Sequence, residues 1–462
     1  MIRRSLLLST ALLLAGCNQQ TTPPPGLAPT DVPAAFEQVS AATAIWPTPD
    51  WWQGFGSSEL TALETAAASG NLDIAQATAR LRQADARARQ AGAALMPTVQ
   101  LNGNAQNLTG AGGSGSGNET DFFAGVGASY ELDFWGRNKA GVDSAEASRR
   151  AGVSDRATVA LTISSAVANG YFQLLALRER LAVAQDNLTS AQAILSVAQR
   201  RVTAGYAPNS DLTQARAGLA AQLAALPGLQ QQALEAKTAL AILLGRPPEG
   251  FIVTAGSLVG IAAPMVAPGL PSELLTRRPD IAAAEANLAA AHADVAAARA
   301  AMLPDSTLTA GAGLQNPALN AAVLTLGGTG FALNLGASLV HTIFDGGRLE
   351  AKAAEAEARE EELLAAYRAA VIAAFGDVEN ALGSLSHLAA QEKALQDQAA
   401  QSEAVLRAAQ RKYTAGGADF LVITDAQRNL YAVRDQLSDI RRARLTASVA
   451  LFKALGGGWP GG

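Results

Sequence analysis

Residues 199–216 read QRRVTAGYAPNSDLTQAR, and residues 410–427 read QRKYTAGGADFLVITDAQ. A shift of 211 positions lays Gln199, Arg200, Thr203, Ala204, Gly205 and Thr213 on Gln410, Arg411, Thr414, Ala415, Gly416 and Thr424. The chain therefore carries one unit twice. In each copy a long helical run ends in Arg-x-x-x-Ala-Gly, turns within about seven residues and starts a second helix; Gly205 and Gly416 are the glycines expected just past a helix end. Each copy is a helical hairpin, and its tip is the expected working part.

The repeat extends outward from the tips. Residues 71–97 match residues 278–304 with a shift of 207, placing Asp73, Ile74, Ala84 and Pro97 on Asp280, Ile281, Ala291 and Pro304. FWGR at 134–137 overlies DGGR at 345–348. Both halves have one order: helix, apolar hairpin, very long helix, tip, helix. A repeat of roughly 200 residues is longer than any solenoid period of about 20–50, so it marks two fused copies of a structural half.

The 462 residues carry 35 Lys and Arg against 40 Asp and Glu, with no basic run long enough to follow a phosphate backbone, which argues against nucleic acid as a partner. A single cysteine excludes an internal disulfide and a Cys-based zinc site. That cysteine has another meaning. Arg3 and Arg4 precede the apolar stretch Leu6–Leu14, too short to span a bilayer and long enough for an export signal. Leu14-Ala15-Gly16-Cys17 then looks like a lipobox, so residues 1–16 read as a lipoprotein signal peptide and Cys17 as the acylated N-terminus. Stable anchoring needs more than one chain at ~0.8 kcal/mol per buried methylene, which multiple acylation of Cys17 supplies. Asn18, in place of an aspartate, favours the outer membrane. Residues 17–58 are a proline-rich lipidated leader, holding Pro23-Pro24-Pro25 and closed by Trp51, Trp52 and Phe55, which are expected to pack on helices.

The first repeat, 59–260, divides into a helix 59–96, a β-hairpin 98–134, a long helix 142–203, the tip, and a helix 211–244. The second, 261–455, divides into a helix 271–302, a hairpin 306–344, a long helix 349–414, the tip, and a helix 419–455; residues 456–462 are a Gly-rich tail. The hairpin assignment rests on period-2 alternation: Val126, Ala128, Tyr130, Leu132 and Phe134 in one half, Phe331, Leu333, Leu335, Ala337 and Leu339 in the other. Their partners are residues 98–108 and 306–314. Strands of about ten residues suit a tilted membrane crossing. Four strands cannot close a barrel, and open edges are not tolerated in lipid, so several chains must pool their strands. The long helices, free of proline, would extend over ~90–100 Å at about 1.5 Å per residue, a length that suits coiled coils and helical ducts. The shorter helices, stacked end to end, would match them.

No phosphate-binding loop, dinucleotide fingerprint, His-Glu-x-x-His or serine nucleophile elbow occurs. His292, His341 and His387 lack ligand spacing, and Met96, Met265 and Met302 form no soft-metal ladder. An enzyme is disfavoured, and no cofactor is expected beyond the covalent lipid on Cys17.

Taken together, the lipobox, WWQGFGSSEL at 51–60, YELDFWGR at 130–137, LLTRRPDIAAAEANLAAAHADVAAARAAMLP at 274–304, IFDGGR at 343–348 and LFKALGGGW at 451–459 resemble the outer-membrane efflux lipoproteins of the TolC-like family. The resemblance implies an α+β membrane protein that is a homotrimer, with four strands per chain in a twelve-stranded outer-membrane barrel and the helices in a periplasmic tunnel narrowed at the tips. It implies passive export of drugs or other small molecules, coupled through a periplasmic adaptor protein to an inner-membrane RND-type pump. The outer channel of a type I protein-secretion system is the alternative in the same class, and a non-conducting lipoprotein tether the alternative from another. Arg277-Arg278-Pro279-Asp280 has a plain structural reading, since Pro-Asp suits the first turn of a helix.

The resemblance also implies a gate, in which the tyrosine before the second Ala-Gly bonds a carboxylate in the first tip; Tyr413 and Asp211 occupy those positions. Asp419 and Asp425 complete the expected polar set. Asp211 falls on Val422 and Asp425 on Gln214, so the polar pattern differs between otherwise matched tips. Ala418 stands where some members carry an arginine, and Val422 where some carry a second aspartate. In the alternative reading Asp211 caps a helix starting at Leu212.

Overall fold

The structure is a computed structural model that describes residues 33, 35–37, 45–109, 118–266, 268–269, 271–316, 330–417 and 419–460. Cys17, the signal 1–16, most of the leader, the Gly and Ser-rich stretch 110–117, residues 317–329, Ala418 and the last two residues lie outside the described residues. Among the described residues the chain divides into two compact units, one within Ala84–Arg149 and Ala286–Ala365, and one within residues 33–83, Arg150–Glu285 and Ala366–Gly462.

The first unit holds a four-stranded antiparallel sheet in the order β1 (Thr98–Thr109), β2 (Asn118–Glu131), β3 (Asp305–Asn316), β4 (Gly330–Val340). Its register pairs Leu101 with Val126, Val126 with Ala312, and Ala312 with Leu333. Since side chains alternate faces along a strand, this register gathers Val99, Leu101, Val126, Leu308, Leu314, Phe331, Leu333 and Leu335 on one face, and all of them are exposed. Gln100, Asn102, Ser129, Thr309 and Asn334 fall on the other, with glycines between them. A Cβ on Gly125 or Gly313 would meet the Phe123 ring at 2.6 or 2.7 Å, so those glycines leave room for it. The sheet ends at β1 and β4, whose outer edges have no partner strand among the described residues.

The strands stop short of the expected hairpins 98–134 and 306–344, at Glu131 and Val340. Asp133 is the reason in the first half. Its carboxylate accepts from the backbone N–H groups of Asn138 (3.0 Å) and Lys139 (2.7 Å), so the chain turns there and α3 (Arg137–Thr203) begins earlier than the expected 142. Arg137 then pairs with Glu131 at 2.6 Å and with Asp305 at 2.8 Å.

The second unit is helical. The expected helix 59–96 is two, α1 (Ser58–Gly70) and α2 (Leu72–Ala93), broken at the extended residue Asn71. The expected helix 271–302 is likewise broken. It comprises a 3-10 turn Pro271–Glu273, a one-turn α5 (Leu274–Arg277) and α6 (Pro279–Ala300), with Arg278 extended between the last two. The tip-to-core helices are α4 (Asn209–Leu243) and α8 (Phe420–Ala454), each 35 residues. The second long helix, α7 (Arg348–Thr414), has the same 67 residues as α3. Trp51 and Phe55 are buried, Trp51 stacking on Phe452 at 5.2 Å and Phe55 meeting Phe172 at 5.1 Å. They join a core with Tyr171, Leu175, Leu240, Leu244 and Val449, where each large apolar side chain contributes about 1.5–3 kcal/mol.

Each break serves a joint of the same kind. Asn71 caps α2 by accepting from Asp73 and Ile74, and its amide donates to Leu243 O at the end of α4 (2.7 Å). Arg278 donates to Ala454 O at the end of α8 (3.3 Å). Gly245 and Gly456, at φ 66° and 87°, end α4 and α8. A Cβ on either would overlap a carbonyl oxygen, that of Gly70 or that of Arg277. Helix ends thus abut helix starts, twice and in the same way.

Candidate gate at the helical tips

The two tips have matching backbones. In the first, Gly205 N donates to Val202 O (3.0 Å) and Tyr206 N to Arg201 O (2.8 Å); in the second, Gly416 N donates to Tyr413 O (3.0 Å) and Gly417 N to Lys412 O (2.9 Å). These are paired Schellman bonds, and they require the left-handed φ of 76° and 81° that Gly205 and Gly416 adopt. Side chains then break the symmetry. Val202 of the first tip corresponds to Tyr413 of the second.

Tyr413 is buried, with its ring against Phe420 at 5.8 Å, inside a small apolar core with Ile194, Ala198, Ala215, Leu406, Ile423 and Leu430. Its hydroxyl donates to Asp211 Oδ2 at 3.4 Å, joining the second hairpin to the first. That is long beside the ~2.7 Å usual for hydroxyl donors. Burial pushes the Tyr413 phenol above its ordinary value, the Asp211 charge adds to this and Arg201 opposes it. Asp211 does not cap a helix from Leu212, because α4 already starts at Asn209, after Pro208, with no side-chain cap. It lies in the first turn, where a carboxylate also suits the helix dipole.

Of the expected polar set, the structure brings Tyr413 and Asp211 together. Asp419 is the N-cap of α8 without a side-chain capping bond, and Asp425 is exposed. Among the described residues neither reaches the first hairpin. Arg201 was not anticipated as part of the site. It donates to Tyr413 O, reaches Tyr206 O at 3.4 Å, and lies over the Tyr413 ring at 4.3 Å from its centroid. The only hint in the sequence was the doubled Arg200-Arg201, and nothing in the helical period says which of the two turns inward.

Polar links recur along the same helices. Asn187 donates to Gln222 (2.6 Å) and accepts from Gln427 (2.9 Å); farther along, Arg180 grips Asp435 with two bonds of 2.6 and 3.1 Å, and Glu179 meets Ser438 and Arg441. These fix α4 and α8 in register on α3. Elsewhere, His292 meets Glu360 at 2.8 Å, and no group of metal-ligating side chains occurs among the described residues.

The profile of the family described as Outer membrane efflux protein matches residues 63–246 and again residues 270–457. The two matches fall on the two halves of the repeat. The chain is 42% identical over 99% of its length to the pyoverdine export outer membrane protein OpmQ of Pseudomonas putida, covering 98% of that protein. It is 41% identical over 98% of its length to OpmQ of Pseudomonas aeruginosa, covering 96%. Among solved structures, the outer-membrane channel OprN superposes with a TM-score of 0.86 at 28% identity, over 95% of this chain and 99% of that one. The chain belongs to the outer membrane efflux protein family, and it is an outer-membrane efflux channel working with the other components of an efflux system.

Proposed function

We propose that three copies of the chain pool their four-stranded sheets into one closed barrel in the outer membrane and pass small molecules outward without catalysis. The observation that carries this reading is the sheet itself. It has one continuous apolar face and, among the described residues, two unpaired edges, and unpaired edges inside hydrocarbon cost several kcal/mol for each bare polar group. Neighbouring copies remove that cost. Cys17, with residues 1–16 removed and acyl chains attached, adds an anchor to the same membrane.

Cargo reaches such a channel from an inner-membrane pump through a periplasmic adaptor, which engages the tips. The tips are the gate: Tyr413 on Asp211 holds the second hairpin against the first, and an adaptor opens the pore by separating them. Gly205 and Gly416 set the turns, while Asp419 and Asp425 supply acidic surface at the second tip. The export of pyoverdine named for the two Pseudomonas relatives makes pyoverdine the first cargo to test. It also favours efflux over protein secretion. Mass measurement in mild detergent and ion conductance in planar bilayers test the reading together. A conducting trimer is expected, and a stable folded monomer without conductance would contradict it.

A further inference from the structure

Arg201 bridges both tips, although the repeat gives it no counterpart. The position equivalent to Arg201 in the second half is Lys412, which is exposed. Arg201 leaves the last turn of α3 and turns its guanidinium across to α7. There one Nη donates to Tyr413 O, the other reaches back to Tyr206 O of its own tip, and the plane covers the Tyr413 ring. A would-be Cβ on Gly416 would lie 4.0 Å from Arg201 Nη2, so the guanidinium is seated against the second turn.

Two features set this contact apart from the phenol bond beside it, since both are charge-assisted, one through the guanidinium and the other through the Asp211 carboxylate. A cation at a helix C-terminus is favoured by the dipole, here the dipole of the other hairpin's helix. And its acceptor is a backbone carbonyl, which no side-chain replacement at 413 removes. The hydroxyl of Tyr413, by contrast, reaches Asp211 only at 3.4 Å.

We propose that Arg201 is a second latch of the gate, holding the two hairpins together through the Tyr413 carbonyl and ring independently of the Tyr413–Asp211 bond. This rests on the reading of the tips as a gate. Lysine cannot replace it fully, because an ammonium lacks the planar fork that serves two carbonyls and a ring at once.

The test is single-channel conductance of the full-length trimer in planar bilayers, comparing Arg201→Met, Arg201→Gln and Arg201→Lys in the parent and in Tyr413→Phe. Arg201→Met should raise the open-to-closed ratio on the order of 100-fold across three copies, Arg201→Lys less, with trimer retention and thermal midpoint unchanged. Tyr413→Phe keeps ring and carbonyl, so its smaller rise should add to that of Arg201→Met. Arg201→Gln, close in shape but uncharged, should behave as Arg201→Met does; it is the variant to rely on if Arg201→Met fails to assemble. If Arg201→Met and Arg201→Gln both conduct as the parent while Tyr413→Phe with Asp211→Ala conducts more, the second latch is wrong and the gate stands. If none of them changes conductance, the gate reading falls with it.

Discussion

Asn71 and Arg278, 207 positions apart in the repeat, each donate a side-chain hydrogen bond to a carbonyl at the end of a 35-residue helix, Leu243 O and Ala454 O. The two carbonyls are themselves equivalent under the 211-residue shift. Backbone bonds flanking the two residues match as well: Asn71 N to Ala67 O and Ala75 N to Asn71 O, against Arg278 N to Leu274 O and Ala282 N to Arg278 O. The Arg-Arg-Pro-Asp signature is thus the second half's version of Gly-Asn-Leu-Asp. Arg278 is 8% exposed and pairs with Asp280 (2.6 Å) and Asp377 (3.0 Å). An arginine here does by reach and charge what the asparagine does by capping.

Arg278→Met should therefore destabilise the folded channel by about 2 kcal/mol, less than a fully buried pair because both aspartates are partly exposed. Asn71→Ala loses a cap and a bond and should cost about 1–2 kcal/mol. Thermal denaturation in detergent reads both, and unchanged midpoints would show that the joints are not fastened by these residues.

Gly456→Ala and Gly205→Ala separate space from backbone strain. Both glycines have a left-handed φ, but a Cβ on Gly456 overlaps Arg277 O whereas one on Gly205 meets nothing within 4 Å. Gly205→Ala should cost the left-handed penalty alone, about 1 kcal/mol, and Gly456→Ala clearly more. Equal losses in an unfolding titration would mean the joint yields freely.

Glu64 predicts a pH dependence. Burial pushes its carboxyl up to about 8, with Ser164 beside it opposing the shift, and its Oε1 has no partner among the described residues. The folded state holds this proton between about 4.5 and 8 while the unfolded chain has lost it, so stability falls as pH rises through that window. The contribution is ~5 kcal/mol per chain at most. In Glu64→Gln, which cannot ionise, the decline in melting temperature from pH 5 to pH 8.5 should be smaller. A variant with the parent's full slope would assign the proton elsewhere.

Much of this was legible because the repeat could be aligned with itself. Period-2 alternation located β2 and β4, their hairpin partners β1 and β3 followed from them, and the Arg-x-x-x-Ala-Gly runs located both tips. What the sequence hid was where regular patterns stop. The break at Asn71 lies inside a stretch with apolar residues at helical spacing on both sides, and only the contact with Leu243 O, 172 positions away, shows why the helix ends there. Leu132 and Phe134 continue the strand alternation past its end, since the turn is made by Asp133, whose capping role depends on backbone amides that follow it. Arg201 was hidden for a similar reason: its partner carbonyl belongs to the other hairpin.

The two faces of the sheet should differ in their tolerance of charge. Leu335 is 88% exposed on the apolar face, and Gln100 lies on the other face at nearly the same level, through Gly127, Gly311 and Asn334. Leu335→Arg should cost about 2–4 kcal/mol of membrane assembly, and Gln100→Arg little. Fractionation of folded, heat-resistant oligomer from outer membranes distinguishes them; comparable yields would argue that the apolar face does not meet lipid.

If bonds between the two tips of each copy keep the pore shut, Tyr413→Phe with Asp211→Ala should raise the open-to-closed ratio seen in single-channel recordings of the full-length channel. The rise should be about ten-fold, modest because the Tyr413–Asp211 bond is long and the Arg201 contact remains. Conductance equal to the parent's, in channels that insert and remain oligomeric, would mean that these bonds are not the gate.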